Sequence, residues 1–375
     1  MLVLGTRPEA IKMAPVYHRL SRSYHVEICL TAQHRQLLDQ VMTFFGMRAD
    51  YDLDIMSANQ SLTQITTRVL EGLEDCFNKA KPDFVFVHGD TTTAFSASLA
   101  AFYRRIPVCH VEAGLRTGNN GNPFPEEMNR RLTGSLADFH FAPTAGGREN
   151  LLREGVPADR IFVTGNTAID ALHATIANLV DDPIKSLFRP NHRKILITAH
   201  RRENFGKGIA NLCRSVNDII KRLGDAHVVY PVHFNPNVRT SVNSALRGNP
   251  AVTLTDPMSY PEFVQNLSTA DLIITDSGGV QEEAPSLGKP VLVLRDYTER
   301  PEAVTAGTVA LVGTDHHRIT GKAVSLLTNR GMYDAMARAI NPYGDGRAAE
   351  RIGSFMEFVM GFCRRNAVLE PFADT

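Results

Sequence analysis

Short, uninterrupted apolar runs bounded by turn residues set the strongest limit on how this chain can fold. MLVL, DFVFVH, IPVCHVE, DFHFAPT and RIFVTGN follow one another in the first half, and KILITAH, HVVYPVH, AVTLTDP, LIITDSG, PVLVLRD and TVALVG in the second. Amphipathic segments such as residues 9–20, 91–104 and 126–136 lie between them. Strand alternating with helix is the βαβ rhythm. A strand that is apolar at every position must be covered on both faces, so each half is expected to form a parallel sheet between two layers of helices, the doubly wound α/β arrangement. A polar stretch near residues 181–193 separates the two series. The expected organisation is an N-terminal Rossmann-like domain over 1–168, a linker over 169–192, a C-terminal Rossmann-like domain over 193–346, and a last segment, 347–375. In that segment Ile352, Phe355, Met356, Val359 and Met360 recur at helical spacing, as in a helix that docks on a domain and can cross back to the first. MLVL leaves little strand before Gly5 and is expected to fray. DFVFVH counts as the third strand and IPVCHVE as the fourth.

Composition narrows the class. A chain of 375 residues with 43% apolar and 21% charged residues can bury substantial cores. Forty basic residues balance forty acidic ones, so no global field favours nucleic acid or an anionic membrane, and any anion site must be local. The five cysteines, Cys29, Cys76, Cys109, Cys213 and Cys363, are odd in number and show no CxxC or CxxH spacing, which fits a reduced compartment. The N-terminus lacks the pattern of a signal peptide and no apolar run is long enough to span a membrane, so the cytoplasm is expected.

In open α/β sheets a ligand sits beyond the carboxyl ends of the strands. The segments there are polar: GTRPEAIK after the first strand, GDTTT after the third, EAGLRT after the fourth, then HRREN, HFNPN, DSGGVQEE and RDYTERPE. Asp276-Ser277-Gly278-Gly279 leads into a helix, either as a capped turn or as backbone that lets a phosphate approach the positive helix end. Glu283, one turn on, is either a ribose contact or a carboxylate stabilised by the helix dipole. Thr6 and Glu9 form a T-x-x-E capping box with Pro8 in the first turn, which leaves Arg7 unexplained. An arginine at a helix N-terminus opposes the dipole, so an anion between them is expected, with Lys12 as a second cation. GxGxxG and GxxxxGK[ST] are both absent. Asp90 stands at a helix N-cap position and can equally face a substrate. Glu112 ends a buried strand and needs a partner, either Arg116 or a substrate hydroxyl. Glu126 and Arg130 are spaced i,i+4 as a surface ion pair would be, and Glu127 is expected to point elsewhere. His200 and His233 each end a strand, where a histidine is structural or catalytic. HExxH, HxxxH and DxDxDG are missing, so no metal site is expected. The carboxylates then read as acid, base and hydrogen-bonding groups at a sugar phosphate.

GTRPEAIKMAP, TAQHRQLLDQ, HGDTTT, HVEAGLRTG, PFPEEMNRRLT, TGNTAIDAL, HRRENFGKG, YPVHFNPNV, TDSGGVQEEAPSLGKPVLVLRDYTERPEAVTAGT and NPYGDG together resemble, in order, the non-hydrolysing bacterial UDP-N-acetylglucosamine 2-epimerases. The resemblance spans nearly the whole chain. It implies a GT-B fold whose substrate cleft lies between the two domains, UDP-N-acetylglucosamine and UDP as ligands, no cofactor, and a homodimer. By the matching motifs it implies that Asp90, Glu112, Glu126 and His200 are catalytic. Arg7, Lys12, Arg130, Ser277, Gly278, Gly279, Glu283 and Arg300 are implied to bind the nucleotide sugar, with Met258 and Phe263 flanking the uracil. Family members are often activated by their own substrate at an adjoining site, and Gln33, His34, Gln36, Gln60, Arg201 and His233 match positions there. Asn59 replaces an arginine found in some relatives, which puts the strength of that site in question. A GT-B glycosyltransferase shares the DSGG and Glu283 features but requires an acceptor site. A hydrolysing relative instead releases N-acetylmannosamine and UDP.

Overall fold

The computed structural model describes residues 1–31, 35–57, 60–181, 183–201, 204–298, 300–361 and 368–373, with the backbone alone at 35–37. The chain divides into two compact units, residues 1–171 with 343–374, and residues 172–342.

The first unit holds a parallel sheet of β1 (Leu2–Leu4), β2 (Ile28–Leu30), β3 (Tyr51–Asp52), β4 (Val85–His88), β5 (Val108–Val111), β6 (Phe139–Ala142) and β7 (Ile161–Val163), in the order β3-β2-β1-β4-β5-β6-β7. Each residue of β1, β4 and β5 is buried, as strands covered on both faces must be. VFVH is thus the fourth strand and VCHV the fifth. Two members are not among the runs given above: β2, three residues long, and β3, a two-residue edge strand too short to leave an apolar run. The expectation that MLVL frays is overturned. β1 is central, paired with β2 and β4, and Met1 is tied to the β4 segment through both its backbone groups: its amine donates to Phe84 O at 2.8 Å and its carbonyl accepts from Phe86 N at 2.8 Å. Helices Leu62–Ala80 and Thr92–Tyr103 cover one face, packing Val69, Leu73, Phe77, Ala97 and Ala101 onto Val3, Val85 and Val87.

Of residues 169–192, expected as a linker, 169–181 continue a helix that runs Thr167–Asp181. The C-terminal helix Ala348–Val359 packs on helix Arg7–Leu20 in the first unit, where Arg19 bonds Glu350 at 2.6 Å and Glu357 at 2.7 Å. Ile352, Phe355 and Met356 face inward, and Phe355 sits against Phe139, Phe141 and Phe162.

The second unit holds β8 (Arg193–Thr198), β9 (Ala226–Pro231), β10 (Val252–Thr255), β11 (Leu272–Thr275), β12 (Val291–Val293) and β13 (Val309–Leu311), all parallel, in the order β10-β9-β8-β11-β12-β13. Ile195, Ile197, Val228, Tyr230, Leu272, Ile274 and Leu292 form its core with Leu212, Val216 and Ile219 of helix Lys207–Leu223.

In both sheets the strand order reverses direction at one point, between β1 and β4 and between β8 and β11. Connections leave such a pair of strands toward opposite faces, so their carboxyl ends open a crevice. GTRPE and GDTTT border the first crevice, His200, Arg201 and DSGG the second. No helix among the described residues is long and apolar enough to cross a membrane.

Candidate active site

At the first crevice the turn after β1 is built by the capping box. Glu9 Oε2 accepts from Gly5 N at 2.8 Å and Thr6 N at 2.6 Å, and Thr91 Oγ1 donates to Glu9 Oε1 at 2.6 Å. Burial pushes the Glu9 carboxyl above its ordinary pKa, and these hydrogen bonds oppose the shift. Arg7 is the first residue of the helix that follows. Asp90 is not the N-cap of the next helix: Thr91 is, its Oγ1 accepting from Ala94 N at 3.0 Å. This frees the Asp90 carboxylate, which Arg130 bonds through Nη2. Asp90's pKa is raised by desolvation, against the pull of Arg130.

Glu112 follows β5 in the left-handed region, at φ 63°. A residue with a Cβ is rarely held there, and such strain collects at functional sites. Its partner is not Arg116, which bonds Glu154 at 2.6 and 2.8 Å instead. Lys12 bonds Glu112 Oε1, and Asn166 Nδ2 donates to the same oxygen at 2.9 Å. His88 Nε2 lies 3.7 Å from Oε2; burial lowers its pKa to about 4, so the ring is neutral at pH 7. Gly89 faces the same oxygen: a Cβ there would sit 3.3 Å from Oε2, and its φ of +65° suits glycine.

The expected ion pair between Glu126 and Arg130 is absent. Arg130 is turned inward to Asp90 and, at 3.3 Å, to Glu127, which is fully buried rather than pointing away. Glu127 also accepts from Thr117 N at 3.1 Å and Gly118 N at 3.3 Å. Glu126 begins helix Glu126–Leu136, half-exposed, and its side chain makes no hydrogen bond or ion pair among the described residues.

At the second crevice Asp276 is not a helix cap either. It is fully buried and accepts from His200 N at 3.0 Å, Arg201 N at 3.0 Å and Asn204 Nδ2 at 2.9 Å, fixing His200, Arg201 and Asn204 beside the DSGG turn. Arg201 Nε donates to Asp276 O at 3.0 Å. The His200 ring lies 3.4 Å from Asp276 and stacks on His233 with centroids 6.1 Å apart. Desolvation lowers the pKa of His200, and Asp276 opposes it. Ser277 is the N-cap of helix Gly278–Ser286 without a side-chain cap bond, so its hydroxyl is not spent on the helix. Arg300 Nε bonds the buried Glu282 at 2.6 Å, which holds the guanidinium against Gly278; a Cβ on Gly278 would lie 2.7 Å from Nη1. A cation held at a helix N-terminus opposes the dipole and favours an anion there. Tyr260 OH donates to Glu283 at 3.1 Å, joining Glu283 to the segment that carries Met258 and Phe263. Met258 Sδ accepts from Asn266, and Phe263 is half-buried on helix Tyr260–Thr269.

Thus Asp90, Arg130, Lys12 and Glu112 stand together in the first unit, and His200, Arg201, His233 and the DSGG turn in the second. Of the residues matched to an activating site, Gln33 and His34 lie outside the described residues, as do Asn59, Cys363 and the side chain of Gln36. Gln60 donates to Ile55 O in the first unit. Asn166 and Glu282 were not singled out in the sequence, and Glu127 and Asp276 were named there without the partners they have here. The only signal for them was a charged or amide residue inside a motif already singled out for its neighbours. No three His, Cys, Asp or Glu side chains among the described residues are grouped to hold a metal.

The family model for UDP-N-acetylglucosamine 2-epimerase matches residues 18–357. A UDP-N-acetylglucosamine 2-epimerase of Escherichia coli K12 is 55% identical over 362 residues, covering 94% of this chain and 96% of that one, and the Yersinia pestis protein is 54% identical with the same coverage. Among solved structures, the Neisseria meningitidis UDP-GlcNAc 2-epimerase bound to UDP-GlcNAc is 50% identical, with a TM-score of 0.89 over 96% of this chain and 99% of that one. The UDP complex of S. aureus MnaA is 44% identical, with a TM-score of 0.90 over 100% and 99%. With two parallel-sheet units of the GT-B type and these likenesses along nearly its whole length, the chain belongs to the UDP-N-acetylglucosamine 2-epimerase family.

Proposed function

We propose that this protein interconverts UDP-N-acetylglucosamine and UDP-N-acetylmannosamine without hydrolysis, by eliminating UDP and adding it back. The C2 proton of the sugar is not next to a carbonyl, so a base cannot simply remove it. Breaking the C1–O bond first, or in step, gives an oxocarbenium-like centre that acidifies C2. The proton passes to the enzyme, the C1–O electron pair leaves with UDP, and 2-acetamidoglucal forms. Reprotonation on the opposite face with return of UDP at C1 gives the manno epimer.

Two acid–base groups are required, one for each face, and they come from Asp90, Glu112 and Glu126. The observation that carries this reading is the unlike setting of Asp90 and Glu112. Asp90 is held by Arg130 with its pKa raised, while Glu112 is strained into the left-handed region beside Lys12, Asn166 and His88. Unlike environments push two carboxyl groups toward different protonation states. Arg7, Arg300 and the helix terminus at Ser277–Gly278–Gly279 stabilise the departing diphosphate, with His200 assisting. Glu283 takes the ribose, and Met258 and Phe263 take the uracil.

The test is incubation with UDP-N-acetylglucosamine in deuterated water without NAD, followed by proton NMR. The expected product is the UDP-manno epimer with deuterium at C2. Free N-acetylmannosamine would make the enzyme hydrolysing, and absence of exchange would remove the activity altogether. Glu112→Gln should slow C2 exchange by about 10²–10⁴-fold while UDP affinity stays within about threefold. Loss of UDP binding instead would show that Glu112 works on the nucleotide.

A further inference from the structure

Glu127 has no part in the chemistry above, yet it is a carboxylate with no exposure at all, and an ion so placed is costly unless fully partnered. Its partners run in two directions. One is the backbone of the turn after EAGLR, where Thr117 N donates at 3.1 Å to Oε2 and Gly118 N at 3.3 Å to Oε1. The other is the pair of arginines on its own helix, Arg130 Nη1 at 3.3 Å and Arg131 Nε at 3.7 Å. The second terminal nitrogen of Arg130 bonds Asp90. The helix is held again from beside Asp90, because Asn129 Nδ2 donates to the Asp90 carbonyl at 3.0 Å. Backbone turn, Glu127, Arg130 and Asp90 thus form one continuous chain of polar contacts.

We propose that Glu127 is a positioning residue for Asp90: it shares the charge of Arg130 with Asp90 and ties that arginine to the 117–118 turn. The proposal rests on the reading of Asp90 as an acid–base group. One guanidinium serves two carboxylates, so the charge Asp90 receives depends on what Glu127 holds back. The other ionisable groups facing Asp90 are Glu112, which raises its pKa, and Lys12, which lowers it. Neither touches Glu127 in the contacts above, so the Glu127 effect travels through Arg130 and through the direct field of a carboxylate. The two act with the same sign. Removing the Glu127 charge leaves Arg130 wholly to Asp90 and deletes a nearby negative charge, and both lower the pKa of Asp90. Removing Arg130 has the opposite sign.

The test is a pair of variants read in two ways. The carboxyl carbon of Asp90, assigned by its loss in Asp90→Asn, is titrated by ¹³C NMR in the full-length protein, and the pH profile of C2 deuterium exchange is recorded beside it. Glu127→Gln should move the Asp90 titration and the matching limb of the profile to lower pH, with a loss of roughly 10–100-fold in exchange from the loosened carboxylate. Arg130→Gln should move the titration to higher pH. A titration unmoved in both variants, or moved in the same direction in both, overturns the proposal. A purely structural role would lower the melting temperature without these opposed shifts. Should Glu127→Gln fail to fold, Glu127→Asp, which draws the charge back from Arg130 by one methylene, takes its place with the same expected direction, and an unmoved titration in Arg130→Gln still overturns the proposal by removing the shared cation. The NMR titration does not need turnover, so lack of exchange in the unaltered protein would overturn the epimerase reading while the coupling remained measurable.

Discussion

Replacing Asp276 by Asn tests whether the second crevice is held open by one buried carboxylate. The Oδ2 oxygen receives His200 N at 3.0 Å, Arg201 N at 3.0 Å and Asn204 Nδ2 at 2.9 Å, and Oδ1 lies 3.1 Å from His200 N. An asparagine that keeps its oxygen at the Oδ2 position turns its NH2 group toward His200 N, donor against donor. Hydrogen bonds to an ionised acceptor contribute about 1.5–3 kcal/mol each and neutral ones about 0.5–1.5, so three bonds each losing ~1 kcal/mol give a destabilisation of roughly 3 kcal/mol. His200 is exposed and its amide can recover some hydration, which places the effect at the lower side of that figure. For a unit of this size ~1 kcal/mol moves the melting temperature by roughly 2–4 °C, so the transition of the second unit should fall by about 5–10 °C. Scanning calorimetry measures it, and titration calorimetry with UDP measures what the loosened loop does to binding, expected to weaken about tenfold or more. A fall below about 2 °C with UDP affinity intact would refute the reasoning, because His200, Arg201 and Asn204 would then be held by something other than Asp276.

Two further outcomes follow from single distances. Gly278→Ala places a methyl group 2.7 Å from Arg300 Nη1 and 2.8 Å from its Cζ, while Glu282 pins the same side chain at Nε. UDP affinity should fall about tenfold, ~1.4 kcal/mol, in calorimetric titration with little change in melting temperature. Asp170 caps the C-terminal helix through Ala348 N at 3.2 Å and Ala349 N at 2.9 Å, and burial raises its pKa to about 6 against the pull of those amides. The folded state then binds the proton more tightly than the unfolded one, so this contribution is fully present below about pH 4, fades as pH rises to about 6, and is gone above it. Melting of the unaltered protein against Asp170→Asn across pH 4–8 should show the advantage of Asp170 shrinking as pH rises; an advantage that grows would mean that the helix amides outweigh burial.

All six strands of the second sheet and five of the seven in the first, all but the short β2 and β3, were legible from apolar runs, because a strand buried on two faces has no room for polar alternation. Their order was not, and the order is what makes a crevice: GTRPE is brought beside GDTTT because β1 lies next to β4, although 80 residues of sequence separate Leu4 from Val85 only as a list. Local rules also misdirected two pairings. The i,i+4 rule offers Arg130 to Glu126, but a buried guanidinium goes where desolvated carboxylates are, and Glu127 and Asp90 are those. Adjacent helical residues differ by about 100° in direction, so one glutamate of the Glu126–Glu127 pair must turn in when its neighbour turns out, and nothing in the apolar pattern says which. The N-cap rule likewise named Asp90 where Thr91 caps, since either residue type fits and only the backbone decides.

These errors share a cause that bears on how such a site is read. Glu9, Glu127 and Asp276 are fully or nearly fully buried, and each accepts from two backbone amides; Glu282, equally buried, spends one oxygen on Arg300. A carboxylate so engaged cannot leave its partners to meet a substrate without stranding donors, at a cost of about 1–3 kcal/mol for each. Asp90, Glu112 and Glu126 accept no backbone amide in the contacts described, and Asp90 and Glu112 are set by side chains on other elements. Side-chain partners can rotate with the carboxylate as it gains or loses a proton, whereas a backbone turn cannot. In the sequence these charges read alike, near a strand end or in the first turns of the helix that follows; for Glu127 and Asp276 the oxygens are owed to main-chain amides of another segment, and those contacts are too distant in sequence to be read from it.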